Sequence, residues 1–405
     1  MHFFPILSTL RRHRTAATLL VLEIALTCAI VCNAVFLIGE RLTRMDRASG
    51  VAEDEIVRVQ IAGIGKGADA TAITAQDIAA LKAIPGVKSV ANSNSVPFGN
   101  SSWNSSISNK PDDSNAPINA GMYMGHPDLI KTLGLKFVAG RDFLPEEFQA
   151  FEAVNADKAK VGSIIVTKGI ADYFYPNGAV GKPIYALGDT ALTVVGVVER
   201  LARPNDNNRA TSRDYAMLFP LTHPYNKGGN YLLRVDPERK TEVLAAVDAA
   251  FNKVDPARII LKRQTFAELR KEYYAKDRSM AYLLTGTCIA LLIITALGIV
   301  GLASFWVQQR TRQIGIRRAL GATRGDILRY FQTENLILAT IGIVVGMGLA
   351  YGINLWLMEK YQVARLPSEF LPIGALLLWV LGQIAVLGPA LRASLIPPAI
   401  ATRTV

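Results

Sequence analysis

Cysteine and histidine are both scarce in these 405 residues. The three cysteines, Cys28, Cys32 and Cys288, all lie in apolar runs, so the 241 residues from Gly39 to Ser279 contain none. That stretch cannot rest on disulfides and must fold on its own core, for which it is long enough. Cys28 and Cys32 are four apart on one helix face, which reads as small packing residues and not as a redox pair. His2, His13, His126 and His223 are scattered without metal-ligand spacing. H-E-x-x-H, G-x-S-x-G and C-x-x-C are all missing, so no catalytic, cofactor-binding or metal residue is expected. The segment "GIGKG", Gly63 to Gly67, lacks the first glycine of a phosphate loop and has Gly67 where Ser or Thr would meet magnesium. It reads as a turn, and no ATP hydrolysis is expected from these residues.

Apolar sequence is abundant, at 50% of the chain, against only 19% charged residues. It is concentrated in four nearly charge-free runs, 16–38, 280–306, 336–358 and 371–391. Each has about 20 residues or more, the length a helix needs to cross roughly 30 Å of hydrocarbon. The first run has no small-x-small cleavage site and reads as an anchor, not a removable signal. The fold class that follows is an α-helical membrane protein with four transmembrane helices and a large α+β extracytoplasmic domain inserted between helices one and two.

Orientation follows from the excess of Lys and Arg that inner loops retain. Arg11, Arg12 and Arg14 precede the first run; Arg310, Arg312, Arg317, Arg318, Arg324 and Arg329 lie between the second and third; Arg392 and Arg403 follow the fourth. By contrast 39–279 holds 31 basic and 28 acidic residues, and in the turn 359–370 Lys360 and Arg365 balance Glu359 and Glu369. The N-terminus (1–15), the loop 307–335 and the C-terminus (392–405) are therefore expected inside, with 39–279 outside. Because the positive charge follows topology, the net +11 speaks for membrane lipid and against nucleic acid as a partner.

Within 39–279 two segments read as strand, helix, strand. One runs from Glu55 to Val90, its helix capped by Thr74; the other runs from Asn230 to Arg263. A β-rich subdomain is expected between them, over about 119–221, and the Ser/Asn-rich stretch from Asn92 to Pro117, with Trp103, reads as a loop. "GERLTRMDRAS" and "TFAELRKEYYAKDRS" have helical spacing and no proline, which predicts that membrane helices one and two continue outward as stiff stalks.

The basic loop has a punctuated pattern. Helix two is expected to continue through "QQRTRQIGIRRAL" to a stop at Gly321, after which Thr323 and Asp326 form a capping box for the next helix. The resulting hairpin tip sets Ile314, Ile316, Ala319, Leu320 and Ala322 among arginines, suited either to a protein groove bearing carboxylates or to anionic lipid. In the third run, Gly342-x-x-x-Gly346 and Gly348-x-x-x-Gly352 predict close helix packing. Glu23, about seven residues into the first run, is costly in hydrocarbon unless paired or hydrated.

The segment "QRTRQIGIRRALGATRGDIL" resembles the signature of the MacB/FtsX-type permeases of ABC transporters, E-R-x-R-E-I-G-I-x-x-A-L-G-A-x-x-x-x-I, departing from it at Gln309 and Gln313. "LGLKFVAGRDF", "AVGKPIYALGDTALTVVGVV" and the tail "PALRASLIPPAIATR" are similar to the same family, so the resemblance covers nearly the whole chain. It implies a type VII ABC transporter subunit in a bacterial inner membrane, with two protomers per complex and a periplasmic domain driven through the stalks. The ATP and magnesium would be held by a separate cytoplasmic ATPase, and a periplasmic adaptor is the implied partner in export. Carried over by position, Ile314, Ile316, Arg317, Ala319, Leu320, Gly321, Ala322, Thr323 and Arg324 would form the coupling contact. Relatives that release lipoproteins or regulate an extracytoplasmic partner without transport keep those two readings open.

Overall fold

The computed structural model describes residues 14–62, 69–100, 103–111, 117–188, 190–205, 214–225, 228–255, 258–361 and 365–397. The "GIGKG" turn lies outside the described residues. The chain divides into two compact units, 1–46 with 276–405, and 47–275. The first helix, α1 (Arg14–Met45), belongs to the former.

Among the described residues the unit 47–275 contains two larger sheets and one short two-stranded sheet. Strands β1 (Ile56–Ala62) and β2 (Val87–Ser93) flank helix α2 (Ala70–Lys82). Next come β3 (Trp103–Ile107), β4 (Ile118–Tyr123), α3 (Leu129–Leu133), β5 (Phe137–Gly140), β6 (Gln149–Ala150), α4 (Phe151–Asn155), β7 (Ser163–Thr167), α5 (Lys168–Phe174), β8 (Pro183–Tyr185), β9 (Ala191–Val198), β10 (Ala216–Leu218) and β11 (Leu221–Thr222). Strand β12 (Gly228–Val235), helix α6 (Lys240–Val254), strand β13 (Ile259–Thr265) and helix α7 (Phe266–Tyr273) complete it.

The strand order β13-β1-β12-β2 interleaves the two strand-helix-strand segments, so neither pairs with itself: β12 lies between β1 and β2, and β1 between β12 and β13. This is the split βαβ arrangement of ferredoxin-like folds. Val57, Val59 and Ile61 alternate toward Ile78 and Leu81 of α2 and Val243, Val247 and Phe251 of α6. The second sheet runs β3-β4-β10-β7-β9-β5, with β8 on β9, around a core that includes Ile118, Ile164, Val166, Leu192 and Met217.

Three local expectations are corrected. Helix α2 is capped by Asp69, whose Oδ1 accepts the amides of Thr71 (2.9 Å) and Ala72 (3.3 Å). Thr74 instead lies inside the helix, where its hydroxyl donates to Ala70 O (2.7 Å) and accepts the Tyr225 amide (2.9 Å). The β-rich subdomain starts at Trp103, within the stretch expected to be a loop, because β3 pairs antiparallel with β4. Polar side chains carry that stretch into the fold: Asn94 Nδ2 donates to Met122 O (3.3 Å), Asn94 Oδ1 accepts the Met124 amide (2.9 Å), and Asn92 Nδ2 donates to His223 O (2.7 Å). Hydrophobic period is a poor guide where amides replace apolar contacts. Finally, the second expected stalk is not one continuous helix. Tyr274 separates α7 from α8 (Ala275–Gln309), and its buried hydroxyl accepts a hydrogen bond from Arg47 Nε (2.9 Å).

The other unit contains α1, α8, α9 (Thr311–Ala319), α10 (Arg324–Tyr361) and α11 (Phe370–Ser394). Helices α1, α8, α10 and α11 are each long and apolar enough to cross a membrane. Their shared core includes Ile24, Cys28 and Cys32 of α1, Ile299 and Ala303 of α8, Ile343 of α10 and Leu378 of α11. The cysteines are small packing elements. A Cβ at Gly346 would come within 2.5 Å of Cys28 Cβ, and one at Gly374 within 2.3 Å of Cys32 Sγ.

Candidate coupling hairpin

The basic loop forms a helical hairpin built from local signals. Gly321, at φ +101°, ends α9 in the left-handed conformation that glycine adopts without strain. The Gly321 amide donates to Arg318 O (3.2 Å) and the Ala322 amide to Arg317 O (3.0 Å), the paired bonds of a Schellman motif. Two residues on, the Thr323 amide donates to Asp326 Oδ2 (3.0 Å) and Thr323 Oγ1 accepts the Asp326 amide (3.2 Å), closing a capping box. One helix is thus stopped and the next started within three residues, which leaves a tight tip.

The tip residues divide by face. Leu320 is 83% exposed and Ile316, one turn earlier on the same face, is 47% exposed. Arg317, Ala319, Gly321, Thr323 and Arg324 are exposed beside them, and Ala322 is half-buried. Ile314 is corrected. It is buried with Val307, Ile327, Phe331, Ala390 and Ala393, so it anchors the hairpin and takes no part in the outward surface. Helical period places it opposite Ile316, a distinction that a list of apolar residues does not make. Arg317 lies over the Tyr330 ring (4.8 Å), bracing the hairpin from within, and Arg318 Nη1 donates to Ile396 O (2.5 Å), tying it to the segment after α11.

Helix two does not run unbroken into the hairpin: α8 ends at Gln309 and α9 begins at Thr311. Arg310, at the break, bonds Glu334 of α10 through Nη1 to both carboxylate oxygens (3.0 and 2.8 Å). Glu334 enters none of the sequence readings above. Its signal was present, a lone carboxylate 24 residues after an arginine, but nothing local joins the two.

The four glycines of α10 separate into two pairs. A Cβ at Gly342 would meet Ile24 Cβ at 2.9 Å and one at Gly346 would meet Ala25 O at 2.7 Å, so this pair packs on α1. Gly348 and Gly352 have nothing within 4 Å of a Cβ. Glu23 lies on α1 against Gly298 of α8, where a Cβ would come within 2.5 Å of its Oε2. Nearby, Thr27 and Thr295 share a hydroxyl hydrogen bond (2.8 Å), and Asn33 Nδ2 donates to Ala350 O (3.0 Å).

A family model described as a MacB-like periplasmic core domain matches residues 15–250, and one described as an FtsX-like permease C-terminal matches residues 287–398. The chain belongs to the MacB/FtsX-type family of ABC transporter permeases. Its relatives include the macrolide export ATP-binding/permease protein MacB of Chromobacterium violaceum, 25% identical over 59% of this chain and 36% of that protein. The pyoverdine export ATP-binding/permease protein PvdT of Pseudomonas aeruginosa is 26% identical over 84% of this chain and 49% of its own length. The ABC transporter permease YvrN of Bacillus subtilis, itself uncharacterized, is 25% identical over 59% of this chain and 61% of its own. The permease therefore spans between about a third and three fifths of these relatives.

Proposed function

We propose that this permease couples ATP hydrolysis by a separate cytoplasmic ATPase to movement of its extracytoplasmic domain, in export together with a periplasmic adaptor. The observation that carries the reading is Leu320, an 83% exposed leucine on a tip closed by two capping motifs. An apolar side chain held at the apex of a stiff turn, with Ile316 and Ala319 beside it and Arg317 and Arg324 around it, suits a partner groove that buries the apolar residues and offers carboxylates to the arginines. The names of the MacB and PvdT relatives, which join an ATP-binding part to a permease, support the same assignment.

Three further parts belong to this reading. The membrane is the inner membrane of a bacterium, with both termini and the hairpin on the cytoplasmic side, as the distribution of arginines supports. A second permease protomer covers part of the apolar surface of the four helices. Gln309 and Gln313, where the family signature has acidic residues, fit one half of an unequal pair.

Co-purification from detergent-solubilised native membranes tests the assignment. The unaltered chain should bring down an ATPase and an adaptor, and Leu320→Asp should lose the ATPase while remaining folded and in the membrane. Absence of an ATPase from both samples after crosslinking would sink the coupling reading and favour a hairpin lying on anionic lipid.

A further inference from the structure

We propose that Arg310 and Glu334 are positioning residues: their buried ion pair locks the elbow at which the hairpin leaves α8, making the tip a stiff lever on the helix bundle. The proposal rests on the coupling reading above. Residue 310 belongs to neither flanking helix. Its amide still donates to Trp306 O (3.1 Å) and its carbonyl accepts the Ile314 amide (2.9 Å), while its φ of −103° and ψ of 9° depart from helical values. No side chain caps the start of α9. Thr311 Oγ1 donates to Val307 O (3.0 Å) and Gln308 O (2.9 Å), taking up carbonyls freed at the break. These local bonds permit the bend without fixing the direction of the next helix. That direction is held at long range, because the Arg310 guanidinium lies 5.4 Å from the Trp306 ring of α8 while bonding both oxygens of Glu334 on α10.

The chemistry makes this joint costly to open. The side chains of Arg310 and Glu334 are only 8% and 1% exposed, so separating them leaves a stranded charge instead of a hydrated one. Trp306, Glu334 and Asn335 line one crevice, and Arg310 Nη2, Trp306 Nε1 and Asn335 Nδ2 have no hydrogen-bond partner among the described residues. These unpartnered atoms are all donors, and the carboxylate is the acidic group placed among them. A buried pair contributes little net stability relative to apolar residues of the same volume. Its value here is geometric, since it ties the residue at the elbow to Glu334 of α10 and so fixes the direction in which α9 leaves α8.

The test measures distances between spin labels in the full chain in lipid nanodiscs, with Cys28, Cys32 and Cys288 changed to alanine. One label pair, Phe305→Cys with Leu320→Cys, spans the elbow; a control pair, Leu26→Cys with Leu349→Cys, spans α1 and α10. The double substitution Arg310→Met with Glu334→Leu removes both charges yet keeps the site apolar and filled, so the bundle stays folded. With the control distance unchanged, splitting of the elbow distance from one population into several supports the lock. A single unshifted elbow population in the double variant overturns it. These distances require no ATPase, so failure of the lock and failure of the coupling reading are separate results.

Discussion

Helix α10 carries the same small-residue spacing twice, and the two copies have opposite surroundings. Gly342 and Gly346 are buried against α1: a Cβ at Gly342 would press on Ile24 (2.9 Å) and Val21 O (3.0 Å), and one at Gly346 would collide with Ala25 O (2.7 Å) and Cys28 (2.5 Å). Gly348 and Gly352, within the same three turns, face outward with Leu349, Ile353 and Trp356 exposed beside them. The difference teaches that a G-x-x-x-G spacing states how closely a helix can be approached, while the other helices decide whether anything approaches. For Gly348 and Gly352 the candidates are lipid and the second protomer of the proposed complex.

The comparison is broken most forcefully at Gly346. Gly346→Val would drive methyl groups into Cys28 and the α1 backbone, and should cost about 1–3 kcal/mol or more by overpacking, read as a lower thermal midpoint in detergent. Asn33→Val comes next. It removes the donor that bonds Ala350 O across the same helix pair, 3.0 Å apart, and should cost about 1 kcal/mol in the same measurement. Gly298→Ala is milder, since the atoms it meets are the carboxylate oxygens of Glu23, the far end of a flexible side chain. It should shift the midpoint less than Asn33→Val, and adding Glu23→Gln should recover little of that shift if the conflict is steric. The smallest effect on the isolated chain belongs to Gly352→Val, expected within about 0.5 kcal/mol. If copies labelled at Leu349→Cys crosslink and the same substitution abolishes that crosslinking, the outward pair is a protomer contact; absence of crosslinking in the labelled chain without the substitution assigns that face to lipid.

Much of the hairpin was legible in the sequence. Gly321 as stop and Thr323 with Asp326 as start are signals spread over only a few residues, and capping geometry depends on little beyond them. The four apolar runs were legible for the same reason, and so was the continuation of α1 beyond its apolar run, here to Met45, while α10 runs on to Tyr361. The inward face of Ile314 was not, because it depends on Ile327, Phe331 and Ala393 arriving from other helices. Nor was the pairing of β3, whose polar residues carry no alternation to read, or the break at Arg310, which occurs in an otherwise good helical sequence.

The sequence by itself determined that four helices could cross a membrane, that a cysteine-free domain stands between the first two, and that a capped basic hairpin separates the second from the third. Those properties are sums over neighbouring residues: apolar length, charge balance and caps. Only the tertiary structure decided which glycines are covered, which isoleucine faces out, and that Arg310 closes on Glu334. Each of these is settled by what lies across the helix-helix contact, where burial and close packing join residues that no local spacing connects.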